Sequence, residues 1–269
     1  MSESPGPRPS PKSSTPFRVV YHIAAIHHWR AIVAEQLPLL LSNRNLADLH
    51  VTIGTDTDAH EQAVVALLKD ILQKFAAPPP WHWQRTPLKA FEHATMMLVD
   101  QFARHDDHPL LYFHCKGVSY SPPLRNHEVF RQYINRLIAQ ADHWAEFLAA
   151  SGCDACGPLL YLDEPSGLRF FAGNFWIAQS PYLRGLMPYE QFVSNPGRGR
   201  VPWDKHLAEM AVNRMGRMRP HAIDGTSLTN KTFEAYMRAL LGTGTNLPGN
   251  QGANFTPTPV INLPDNPVT

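Results

Sequence analysis

The sequence predicts an α/β fold: one domain with a mainly parallel mixed sheet flanked by helices, and a strand pair added in its C-terminal half. Three observations carry this. Between Phe17 and about Ala150, short apolar runs alternate with stretches of helical apolar spacing, the pattern of successive βα units. Leu110–His114 (LLYFH) is apolar on both faces, as a strand covered by helices on each side must be. After residue 150 the alternation gives way to two β segments separated by Asp163–Gly167 (DEPSG), a turn signal.

The elements follow in chain order. Residues 1–16 hold five Pro and five Ser with almost nothing apolar, so they read as a disordered tail. Phe17–Ile26 is the first strand, followed by a helix over His28–Leu41. Leu49–Gly54 is the second strand and Glu61–Phe75 the second helix. Trp81–Arg85 is a third strand after the breaker Pro78–Pro80. Pro87 suits the first turn of a helix reaching Arg104. Leu110–His114 is the fourth strand, and a helix spans Asn126–Ala150 after Pro122–Pro123. Ala155–Leu162 and Leu168–Ala178 form the added pair, Ser180–Leu186 is helix-like, and a last helix covers Trp203–Met215. Residues 242–269, rich in Gly, Asn and Pro, read as a second flexible tail, with Pro259–Leu263 the one stretch able to dock as a strand. The expected domain is 17–241.

Composition narrows the function classes. Of 269 residues, 24 are Lys or Arg and 23 Asp or Glu, a net charge of +1 that gives no reason to expect nucleic acid as partner. Three Cys cannot build a disulfide framework and point to a reducing compartment. No apolar run approaches the roughly 18 residues that span a bilayer, and the N-terminus lacks a signal-like apolar core. The expected location is the cytoplasm, with peripheral contact at the inner face of the membrane. No glycine-rich fingerprint follows the first strand, which counts against a dinucleotide enzyme.

In an open α/β sheet, ligands bind at the carboxyl ends of the strands. The first strand delivers HIAAIHHW there: His22, small Ala24 and Ala25, and Trp29, which either stacks on a base or packs at the start of its helix. The fourth delivers His114-Cys115-Lys116-Gly117, placing a cation able to neutralise a diphosphate beside a polar imidazole. Phe170–Ala178 (FFAGNFWIA) brings Gly173 for close approach, Asn174 as donor and acceptor, and Trp176 as an apolar face for a pyranose. Asp56-Thr57-Asp58 and Asp106-Asp107 read as solvated turns. Cys153-Asp154-Ala155-Cys156 lacks the second pair of a structural zinc site and reads as packed thiols. His27-His28 and His105…His108 read as surface residues, and Asn213–Arg219 as a solvated basic face.

The segments HIAAIHHW, RTPLKAFEHA, YFHCKGVS and FAGNFWIAQSPYLRGL resemble a family of nucleotide-sugar glycosyltransferases with a GT-A type fold, marked by YFHTKG and GNFWWA motifs and related to rhamnan-synthesis-type transferases. The resemblance runs over most of residues 17–210. It departs at Cys115, where Thr is usual, and at Ile177, where a second Trp is usual. It implies a donor site of His22, Ala25 and Trp29, the Thr86–Lys89 region with Thr86 and Lys89, and Lys116. It implies an acceptor site of Asn174 and Trp176 with Trp203. Where many such enzymes carry an Asp-x-Asp pair for Mg2+ or Mn2+ on the donor diphosphate, this chain has His114-Cys115-Lys116, so no metal ligand is assigned. Either Lys116 supplies the charge, or Mg2+ or Mn2+ enters with ligands the sequence does not identify. The catalytic set is then Lys116, His114 and a general base, for which Glu190, Asp204 and Glu209 are candidates and Asp204 the choice, though an acid at a helix N-terminus is also favoured by the dipole alone. The implied function is sugar transfer from a nucleotide diphosphate donor to a glycan or lipid-linked acceptor, inverting, in cell-surface polysaccharide synthesis. The alternative is a non-catalytic nucleotide- or glycan-binding module on the same fold.

Overall fold

The first apolar run forms β1 (Phe17–Ala24), buried along its length except at Arg18 and Ala24. It pairs in parallel with β2 (Leu46–Gly54) and with β4 (Leu110–His114), and β3 (Trp81–Thr86) extends the ladder beyond β2. The computed structural model describes residues 14–163, 168–194, 211–213, 218–223, 227–229 and 236. Among them the main sheet has seven strands in the order β3-β2-β1-β4-β8-β5-β9. Strand β8 (Trp176–Ala178) runs antiparallel to both β4 and β5 (Ala155–Gly157), and β9 (Pro220–Ala222) is parallel to β5. A Rossmann-like half is thus continued by a short mixed half, the α/β class that the sequence predicts.

Side-chain alternation divides the strands between two cores. Val19, Tyr21, Ile23, Val51, Ile53, Leu111 and Phe113 pack under α1 (Trp29–Leu41), α2 (Asp58–Leu72), α4 (Arg125–Ala139) and α5 (Ala141–Ser151). Val20, Leu110, Tyr112 and Trp176 face the other way, under Met96, Val99 and Ala103 of α3 (His93–His105), with Leu183 of α6 (Ser180–Arg184) and Phe192 of α7 (Tyr189–Ser194). Each fully buried aliphatic side chain contributes roughly 1.5–3 kcal/mol, so both faces of the sheet are held.

Three elements differ from expectation. The added strand pair is present as β6 (Leu160–Asp163) and β7 (Leu168–Phe171), antiparallel in a second sheet with β10 (Ser227–Thr229), but each expected segment is broken and its other part, β5 or β8, joins the main sheet. Pro158, lacking an N–H, follows β5 where the chain leaves the main sheet. The helix expected over 126–150 breaks at Gln140 (φ −120°, ψ 25°). There Asp142 receives the N–H groups of Arg44 and Asn45, and Asn43 receives the N–H of Asp142, so a distant loop caps the new start. The helix expected from Pro87 is a single 3-10 turn, Leu88–Ala90, separated from α3 by Phe91 (φ 46°). The tails and most of the last expected helix, including Trp203 and Asp204, lie outside the described residues.

Candidate active site

Parallel pairing sets His22 of β1 opposite Thr52 of β2 and His114 of β4, on the α3 face near the carboxyl ends. The helix following β3 begins at this edge, so the N-terminus of α3 adds Glu92 and Thr95. His22 is 4% exposed, and its Nδ1 lies 2.9 Å from Thr52 Oγ1 and 3.0 Å from Thr95 Oγ1. Burial lowers its pKa to about 4; Glu92 opposes the shift and His114 adds to it.

Glu92 is the centre of the cluster. Its Oε1 lies 3.1 Å from His114 Nδ1, and its Oε2 accepts from Tyr112 Oη and Asn174 Nδ2, each at 2.5 Å. Burial alone would raise its pKa; His114, then His22 and the Tyr112 hydroxyl, override it and hold the carboxyl far below the usual carboxylate range. His114 Nε2 also donates to the Gly173 carbonyl at 2.9 Å, so both ring nitrogens face acceptors. Asn174 is fully buried at φ 55° and accepts from Trp176 Nε1 at 2.9 Å. Gly173 (φ 83°) makes the approach possible, since a β-carbon there would meet Phe130 Cε1 at 3.0 Å. With both oxygens engaged, Glu92 orients His114 and Asn174 and is poorly suited to abstract a proton.

The HCKG turn is clamped through its backbone. Cys115 N–H donates to the His22 carbonyl at 3.1 Å, and Lys116 N–H to the His114 carbonyl at 2.8 Å. Behind it, Gln36 Nε2 donates to the His114 carbonyl, and Arg131, paired with Glu35 at 3.0 Å, reaches the Lys116 carbonyl at 3.5 Å. Cys115 points inward, 3% exposed, with Sγ 3.3 Å from Tyr21 Oη; burial pushes its thiol up to about 12, so it stays a neutral packing group. Lys116 is half-buried, its main chain fixed and its ammonium on a long stem.

Towards β2 and β3 the same edge opens into a cleft of about 360 Å3 lined by Thr55, Asp56, Arg85, Thr86 and Pro87, within the size range of small-molecule sites. Thr86 is 4% exposed and its hydroxyl has no hydrogen-bond partner among the described residues. Lys89 is exposed on the 3-10 turn. This turn is tied to the cleft because Leu88 N–H donates to Asp56 Oδ1 at 3.1 Å.

The structure therefore gathers His22, Thr86, His114, Lys116, Asn174 and Trp176 along one edge, but not all in the expected roles. Trp176 is 1% exposed and Asn174 0%, so neither presents an open surface to a sugar; both support Glu92. Trp29 is 4% exposed and packs in the main core, and Ala25 is buried with its N–H on the Gly54 carbonyl. Asp204, Trp203 and Glu209 lie outside the described residues, and Glu190 is exposed on α7. Glu92, Tyr112, Thr52 and Thr95 were not singled out from the sequence; Glu92 lies within RTPLKAFEHA, but its partners are 20 to 82 residues away.

The remaining motifs supply caps and ion pairs. Thr57 accepts from His60 N–H as the cap of α2, and Asp58 pairs with Arg85. Asp106 bridges to Arg18 and His108 at the far end of β4, and Asp107 pairs with Arg184. Arg219 pairs with Asp154 beside the Cys153–Cys156 loop, where burial raises the Cys156 thiol.

Mg2+ takes oxygen-rich ligand sets. The β4 edge offers imidazole, thiol and ammonium, Glu92 is already saturated, and no group of three His, Cys, Asp or Glu among the described residues could hold a metal. Among the described residues, the β4 edge does not present the oxygen-rich set that Mg2+ takes. No helix among the described residues is long and apolar enough to cross a membrane.

Comparison with curated proteins finds no match to the sequence. Among solved structures, the fold is similar to the mannosyltransferase PcManGT from Pyrobaculum calidifontis, in complex with GDP-Man and Mn2+, at 12% identity and TM-score 0.42; the match covers 86% of this chain and 65% of that one. A 4-diphosphocytidyl-2C-methyl-D-erythritol synthase matches at 11% identity and TM-score 0.34, over 84% of this chain and 98% of that one. Likeness at this level speaks to neither activity nor substrate. The sequence itself matches, from residue 19 to residue 223, the family described as domain of unknown function (DUF8361), and the chain belongs to that family.

Proposed function

We propose that the protein is a glycosyltransferase that moves a hexose or deoxyhexose from a nucleotide diphosphate sugar to a glycan or lipid-linked acceptor, in the cytoplasm or at the inner face of the membrane. The observation that carries the reading is Lys116 on a backbone-clamped turn at the carboxyl edge, beside the Glu92–His114 pair and on the same edge as a cleft of about 360 Å3. The acceptor oxygen attacks the anomeric carbon and the bond from that carbon to the diphosphate oxygen breaks. The diphosphate leaves with the electron pair, and the Lys116 ammonium stabilises the charge that develops on it. The acceptor proton passes to a carboxylate, for which Asp204 is the assigned base. Glu92, itself held by Tyr112 and Asn174, and the Gly173 carbonyl keep His114 in place. No step is routed through a metal.

The test is turnover with a panel of nucleotide diphosphate sugars, read as release of nucleoside diphosphate. Lys116→Ala is expected to remove release while leaving the circular-dichroism spectrum and melting temperature intact. Full release by that variant would sink the assignment. Tight nucleotide binding by wild type with no release for any donor would instead favour a binding module.

A further inference from the structure

We propose that Phe91 is the platform on which a substrate pyranose rests, its C–H face against the phenyl ring; this deepens the sugar-transfer reading and rests on it. Phe91 has φ 46° and ψ −135°, a conformation that residues with a β-carbon rarely adopt. Such backbone costs on the order of 1–3 kcal/mol and persists where its surroundings dictate it. Upstream, Phe91 N–H donates to the Leu88 carbonyl at 3.1 Å, and Leu88 N–H is fixed to Asp56 at the cleft. Downstream, the carboxylate of Glu92 is held by His114, Tyr112 and Asn174. The short chain between these anchors turns at Phe91.

Core packing does not account for the ring. Phe91 is 57% exposed, more than Trp83 (44%), Met97 (43%), Tyr120 (42%) or Leu124 (41%). An apolar residue just before a helix cap commonly staples onto the fourth helical residue and is covered there. That residue is Met96, itself 1% exposed in the core, while most of the Phe91 ring surface stays in solvent. Strain and exposure thus fall on one residue, placed between the cleft-lining Thr86–Pro87 and the Glu92–His114 pair.

Of the other aromatic groups at this edge, Tyr112 and Phe175 are fully buried, Trp176 is 1% and Trp29 4% exposed, and Tyr120, less exposed than Phe91, packs tilted against His127 at 4.3 Å between ring centroids. A ring face of this kind suits the polarised C–H groups of a pyranose, and Phe91 takes the stacking role that the sequence assigned to Trp176. The sugar can be that of the donor or that of the acceptor, and the two are separable by binding.

The experiment is calorimetric titration of wild type, Phe91→Ala and Phe91→Trp with UDP-glucose and GDP-mannose, with bare UDP and GDP, and with mannobiose and cellobiose. Phe91→Ala is expected to weaken the sugar-bearing probes about tenfold beyond any effect on UDP or GDP, and Phe91→Trp to retain them. Loss confined to the nucleotide sugars assigns the platform to the donor, and loss confined to the disaccharides assigns it to the acceptor. Phe91→Gly, which tolerates φ 46°, is expected to raise the melting temperature while losing the same affinity, a trade that a purely structural residue does not make. Unchanged affinity in Phe91→Ala for every probe that wild type binds overturns the inference and leaves the transfer reading standing. An equal loss for bare UDP or GDP makes Phe91 a base platform and also overturns it. Failure of wild type to bind any probe overturns both.

Discussion

Acidification should destabilise this protein through His22 as pH falls from 6.5 to about 4. The unfolded chain protonates this imidazole near 6.5, whereas the folded protein, which buries it against Thr52 and Thr95, does so only at about 4. Between those values the unfolded state binds more protons, so stability rises with pH; the contribution is complete above 6.5 and is lost as pH falls to about 4. The gap corresponds to on the order of 3 kcal/mol. For a domain of this size that is a melting-temperature drop of roughly 6–12 °C. The assay is scanning calorimetry from pH 7.5 to 4 on wild type and on His22→Asn, whose amide can occupy the place of Nδ1 between the two hydroxyls. His28, His127 and His221 also have lowered pKa values, each chiefly by burial, so the quantity to read is the difference between the two proteins. The variant should lose most of the slope between pH 6.5 and 5. Identical slopes would refute the reasoning, because they would mean that His22 takes up its proton in the fold as readily as in the unfolded chain.

Two further variants probe the same edge and its support. Glu92→Ala leaves the buried Tyr112 hydroxyl and Asn174 amide without their acceptor and removes the carboxylate beside His114 Nδ1, a loss of about 1–3 kcal/mol in chemical denaturation. Glu92→Gln should cost less, because its oxygen can receive Tyr112 and Asn174 while its amide donates to His114 Nδ1. It should also flatten the stability loss below about pH 4.5, since a carboxyl with a depressed folded pKa stabilises above its unfolded value and stops doing so as pH falls through the folded one. Gly157→Ala places a β-carbon 2.3 Å from the ring of fully buried Phe171, an overpacking expected to cost about 1–3 kcal/mol and visible as a lower melting temperature.

Much of the Rossmann-like half was legible because each strand there is a continuous apolar run bounded by its own breaker. Leu110–His114 has the same ends in sequence and structure, and the HCKG turn falls at the sheet edge as its position after a buried strand implies. What failed were features set by distant chain. The break at Gln140 carries no Gly or Pro; it depends on Asn43, Arg44 and Asn45 capping Asp142 from nearly a hundred residues away. The strand pair after residue 150 is present as β6 and β7, but its breaks were not legible, since nothing local tells Trp176 to pair with Tyr112 while Phe171 pairs with Leu160. The site behaves likewise. Lys116 and His114 announce themselves by following an apolar strand, but Glu92 is one acid in a polar segment until Tyr112, His114 and Asn174 converge on it. Trp176 looks like a sugar platform in sequence because burial is invisible there, and the exposure of Phe91 is equally invisible.

The central claim is that the carboxyl edge receives a nucleotide diphosphate sugar with Lys116 at the diphosphate. A crystal structure soaked with such a donor tests it most directly. The account predicts diphosphate oxygens within about 3 Å of Lys116 Nζ, with the nucleoside in the cleft of Thr55, Asp56, Arg85, Thr86 and Pro87. A donor bound with its diphosphate away from Lys116, or at another face of the sheet, would contradict it.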